Sequence, residues 1–133
     1  MDTSTWLAAL HQRISTRRST LDRLWAWAHV AQSVALADLL ATPSTIPTPA
    51  CWVEPRMAWA MDDLAYAGAR TDPLPVPRID PVDVDDVLRT VLRHLIDSGQ
   101  VPGRHATPEQ AAACAQAVDR ARAALRDYAA STP

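Results

Sequence analysis

His29 is the residue of this chain best placed by spacing to do proton chemistry. Trp25 lies four residues before it and Ser33 four after, so on a helix the three share a face. In a bundle cavity such an imidazole would accept a proton or contact a ligand. The plainer reading is a core or boundary histidine held by a backbone group or by Ser33, and it is preferred. A second constellation is Trp59, Asp63 and Tyr66, which also fall on one side of a helix, with Asp62 beside them. Two aromatics around a carboxylate suit a cationic or aromatic ligand. They equally suit a protein interface, where aromatics are enriched. The preferred reading is again plainer: partly buried rings over a solvated acidic face.

Other chemistries are poorly supplied. His11, His29, His94 and His105 show no two-histidine helical spacing, and Cys51 and Cys114 have no histidine near them in sequence, so no metal or other cofactor is expected. All 13 basic residues are arginine, which removes lysine nucleophiles and lysine-dependent phosphate loops. No Gly-x-Ser-x-Gly turn is present. Arg13, Arg17, Arg18 and Arg23 make one stretch locally basic. Phosphate contact is conceivable there, but the net charge is −2 and a solvated face or protein interface is favoured. Trp25 and Trp27 point to different sides of one helix, so both cannot face one core. One of them must meet another helix layer, a second subunit or a long connection.

The elements that would position these residues are helical. Leu7, Leu10, Ile14, Leu21, Leu24, Ala28, Ala31 and Ala35 keep a heptad-like phase, which predicts one helix from about Ser4 to Ala41, roughly 55 Å long. Ser15 to Thr20 has weak helix propensity, and Ser19 with Asp22 fits a capping box, so a break near Ser19 is the alternative. The segment Leu24–Ala41 carries Asp38 as its only full charge; with His29, Gln32 and Ser33 inside it, it reads as a helix buried in protein rather than a membrane span. A proline-rich connection, Thr42 to Glu54, leads to a second helix starting at Pro55 and ending near Ala69, with the stripe Met57, Ala60, Met61, Leu64 and Gly68. Thr71 to Ile79 is extended by its prolines.

Asp80 and Pro81 open the third helix, whose apolar face is Val84, Val87, Leu88, Val91, Leu92 and Leu95, with Gly99 just past its end. Thr107, Pro108 and Gln110 open the last, which continues through Ala111, Cys114, Val118, Ala121, Leu125 and Tyr128 to about residue 130. Strand alternation is absent. The expected fold is one all-α domain, an antiparallel four-helix bundle-like arrangement, with five helices if the first breaks near Ser19.

The expected function is a non-enzymatic helical interaction, regulatory or assembly module, pairing with itself as a homodimer or with another protein. The rival is a small-molecule-binding bundle or small helical enzyme with a pocket near Trp25, His29, Trp59 and Asp63. A nucleic-acid accessory role for the arginine-rich first helix ranks last. Arg13, Arg17, Arg18 and Trp27 are the candidate interface residues. Two unpaired cysteines and a start unlike a signal peptide suggest a cytoplasmic setting.

Overall fold

The computed structural model describes residues 2–41, 43, 45–100 and 106–131. They form five α-helices: α1 Thr3–Ser15, α2 Thr20–Ala41, α3 Ala50–Tyr66, α4 Val84–Gly99 and α5 Pro108–Ser131. A single 3-10 turn, Pro81–Asp83, precedes α4, and there is no strand among the described residues. The all-α expectation holds. Helix α2 is the hub, packing on α1, α3, α4 and α5. One apolar core threads all five helices.

The long first helix is broken, against expectation. Ser15 Oγ donates to His11 O and Thr16 Oγ1 to Arg13 O, both at 2.7 Å, so side chains of the weak stretch compete for the backbone acceptors that end α1. Ser19 Oγ then accepts from Asp22 N at 3.0 Å and caps α2. Arg23 closes the corner: its guanidinium donates to Arg17 O at 2.7 Å, Arg18 O at 3.2 Å and Thr20 Oγ1 at 3.1 Å. The apolar phase survives because Ile14 and Leu21 enter the core from opposite sides of the turn. Asp22 does not complete the capping box. Its Oδ1 accepts from Arg70 N at 2.8 Å, fixing the chain that leaves α3.

Helix α2 is long and apolar enough to cross a membrane, but half of its most apolar stretch is buried inside the bundle. Leu24, Ala26, Ala28, Val30, Ala31 and Ala35 have no exposed surface. A helix enclosed on most sides is apolar nearly all round for that reason.

Helix α3 starts five residues earlier than expected, so Pro55 lies inside it. The apolar face explains the earlier start: Ala50, Val53, Met57, Ala60 and Leu64 are all buried. Pro55 costs only the bond to Cys51 O, one turn into the helix. At the other end Gly68 adopts φ +110, Gly68 N donates to Ala65 O at 3.0 Å, and Ala69 N to Leu64 O at 2.9 Å. This is a Schellman termination. Gly68 is therefore a stop signal rather than a member of the apolar stripe.

Residues 69–80 have no regular secondary structure, yet Leu74 is buried in the core. Asp80 Oδ1 accepts from Val82 N at 3.1 Å at the entry to the 3-10 turn, and the expected apolar face of α4 is buried throughout. Gly99 is the last helical residue rather than a left-handed cap; a Cβ there would overlap the Val118 side chain, so glycine lets α4 approach α5. The Thr107–Gln110 box forms in both directions, Gln110 N to Thr107 Oγ1 at 3.2 Å and Thr107 N to Gln110 Oε1 at 3.1 Å. Gln110 Nε2 also donates to Ala67 O at 3.3 Å, tying the start of α5 to the end of α3.

Candidate functional site

The residues expected to surround one pocket fall into two groups. Trp25 and His29 stack on α2, with ring centroids 5.2 Å apart and planes inclined by 5°. His29 Nε2 lies 3.3 Å from Leu74 O. A carbonyl can only accept, so this geometry assigns the ring proton to Nε2. Burial lowers the His29 pKa, the bond to Leu74 opposes that, and the Arg17 charge adds a smaller lowering. The result is a neutral imidazole pinning the α3–α4 connection to α2, which is the backbone-held histidine preferred from sequence.

Trp59 and Asp63 belong elsewhere, at the seam of α3 and α5. Arg120 Nη2 sits 3.1 Å from Asp63 Oδ2, and its guanidinium carbon lies 5.1 Å from the centroid of the Trp59 ring. Arg56 pairs with Asp127 along the same seam. Trp59 is 66% exposed and Tyr66 97%. The two rings are seven residues apart, which places them on one stripe of α3. The pocket drawn around Trp25, His29, Trp59 and Asp63 is thus corrected to a buried stack and an open surface patch.

Trp27, expected at an interface, is 1% exposed and belongs to the core. It stacks on His94 of α4 at 4.8 Å, and His11 of α1 lies 4.6 Å from His94 and 6.0 Å from Trp27. Burial lowers the His94 pKa, the neighbouring His11 lowers it further, and Asp97 opposes both. So Trp27 meets another helix layer, while Trp25 stacks under the histidine that holds the long connection. Both are buried, on different sides of α2.

The basic stretch is partly consumed by structure. Arg23 clasps the α1–α2 turn, and Arg17 Nη2 reaches Asp72 O at 3.5 Å. Arg13 is exposed, and Arg18 lines a cavity. That cavity has a volume of about 700 Å³. It lies between the α1–α2 turn and the start of α5, bounded by Arg18, Leu21, Arg70, Ala111, Cys114 and Ala115. Cys114 is half-buried there, and burial pushes its thiol pKa up, with Arg23 opposing, so the thiol is largely protonated at neutral pH.

A third cluster was not foreseen. Tyr128 of α5 is buried against Trp52 of α3, edge to face at 6.1 Å. Arg89 of α4 lies 5.1 Å from its ring centroid. Asp85 of α4 and Asp38 of α2 both act on the Tyr128 hydroxyl by charge. Burial, then Asp85, raise the phenol pKa far above its ordinary value, so the hydroxyl stays protonated. Burial and the Asp85 charge raise the Asp38 carboxyl. Asp85 and Arg89 stand four residues apart on α4, and both act on Tyr128 of α5.

Among the described residues, no group of three or more histidine, cysteine or acidic side chains is placed to hold a metal ion. Neither a family model, nor a curated protein, nor a solved structure matches this chain.

Proposed function

We propose that this chain is a helical protein-interaction module that pairs with a second copy of itself through the exposed α3–α5 seam. The observation that carries this reading is the exposure of Trp59 and Tyr66 on one stripe of α3. Large exposed aromatics beside arginine are the composition of interface hot spots. The seam carries both signs of charge, with Asp62 and Asp63 on α3 and Arg120 on α5, so a twofold rotation sets opposite charges against each other. Trp59 is already held flat by Arg120, which reduces the ordering cost of binding.

The area bounds the strength. Four aromatics across a twofold axis, at about 150–250 Å² each, bury roughly 600–1,000 Å². A standard interface buries about 1,200–2,000 Å². The polar rim must supply the remainder, which suits a dimer of micromolar rather than nanomolar affinity.

Light scattering coupled to size exclusion tests the reading. A dimer should form at tens of micromolar, and the double variant Trp59→Ala/Tyr66→Ala should run as a monomer with an unchanged helical spectrum. A monomer at all concentrations, or a dimer indifferent to both substitutions, would overturn it. Capture of a different protein through the same two rings would keep the surface and replace the partner.

A further inference from the structure

We infer that the cavity beside the α1–α2 turn is a binding site for a small aliphatic carboxylate, with the head group at Arg18 and Arg70 and the tail against the start of α5. The volume, about 700 Å³, lies inside the range of small-molecule sites, roughly 300–1,000 Å³. Its lining is divided by chemistry. Leu21, Ala111, Cys114 and Ala115 supply apolar wall, and the guanidinium groups of Arg18 and Arg70 supply charge.

The charge on this side of the cavity is only partly spent internally. The Arg18 guanidinium has no partner among the described residues. Arg70 touches Asp72 at only 3.5 Å, with both side chains largely exposed. Asp22 also lines the cavity, but one of its oxygens is engaged by Arg70 N at 2.8 Å. Arg23, close enough to act on Cys114 by charge, adds a third cation. Three guanidinium groups against two carboxylates, Asp22 and Asp72, leave this side of the cavity net positive in a protein whose net charge is −2.

The same residues select the ligand class. Arginine forks recognise a carboxylate in bidentate fashion. Among the described lining residues no aromatic side chain offers a ring for a base or sugar to stack on. The wall of alanine, leucine and a protonated thiol fits a flexible alkyl chain.

Cys114 makes the site measurable. In a Cys51→Ser background it is the single thiol, and N-ethylmaleimide, which is uncharged, reports its accessibility. Decanoate should slow that reaction saturably, by about tenfold, and 1-decanol should need about ten times the concentration for the same protection. Arg18→Gln/Arg70→Gln should erase the difference between the two. Both arginines are exposed, and the thermal melt checks that the variant keeps its fold. Equal protection by decanol and decanoate in the unsubstituted site, or none by either, would overturn the assignment. If Cys114 proves unreactive, isothermal titration of decanoate into the native chain decides instead. One-to-one saturation lost in the double arginine variant supports the site, and absence of binding heat overturns it.

Discussion

Helices α2 and α3 carry two tryptophans each, and they use them in opposite ways. Trp25 and Trp27 of α2 are buried, each stacked on a histidine. On α3, Trp52 is partly buried beside Tyr128, while Trp59 lies open under a single arginine. The neighbours make the difference. Ala26, Ala28 and Ala31 let other helices close on α2 from several sides, so even rings pointing in divergent directions find cover. On α3, Asp62 and Asp63 follow Trp59 within one turn and must stay hydrated, which keeps that stripe outside. A tryptophan is therefore placed by what surrounds it within a turn, and only the placed ring tells whether it serves the fold or the surface.

The contrast breaks most visibly by truncation. Trp27→Ala should lose about 3–5 kcal/mol in urea unfolding, the cost of a large ring removed from a closed core. Trp59→Ala should change monomer stability by no more than about 0.5 kcal/mol. Equal losses would mean that the exposed stripe is packed after all. The tyrosines repeat the test on a smaller scale. Tyr128→Phe removes a buried hydroxyl beside Asp85 and should cost about 0.5–1.5 kcal/mol, whereas Tyr66→Phe should be neutral by the same melt.

The surface pair is weaker still. A double-mutant cycle on Asp63 and Arg120 should return a coupling of about 0.2–1 kcal/mol that shrinks on adding salt, because both groups are partly solvated.

The least effect is a pH response confined to the α2 side. The folded pKa values of His29 and His94 lie below the ordinary 6.5, so near that pH the unfolded chain binds more protons than the folded one. Stability then rises with pH through this window. It is fully present above the unfolded pKa and is lost as pH falls towards the folded values. The urea midpoint should drop between about pH 7.5 and about pH 5.5, and His29→Gln/His94→Gln should flatten the drop. An unchanged slope in that variant would remove both rings from the account.

Local chemistry in the sequence was legible wherever a signal is closed within a few residues. The Thr107–Gln110 box, the Asp80 cap and the apolar face of α4 all appear as read. The reading failed where two local rules competed. Heptad phase argued for one long helix, while Ser15 and Thr16 argued for a stop, and the side-chain bonds to His11 O and Arg13 O favoured the stop. Pro55 fits a first helical turn, but burial of Ala50 and Val53 drew the start of α3 upstream past it. The sites were less legible. Arg18 and Arg70 share a cavity, as Asp85 and Tyr128 are neighbours, only through tertiary packing, and neither pairing has a periodicity to reveal it.

The clasp at the α1–α2 corner has a kinetic consequence. Every bond that Arg23 makes there spans six residues or fewer. The ties around the neighbouring cavity span 48 residues, from Asp22 to Arg70, and 43, from Ala67 to Gln110. Short loops close at little entropic cost, and long ones delay folding. The corner can therefore form early and by itself. The cavity exists only when the last helix docks. Pulsed hydrogen exchange would then find the α1–α2 turn protected before the Arg70 amide, so that a chain arrested before α5 docks would hold its shape at one end and have no place for a ligand at the other.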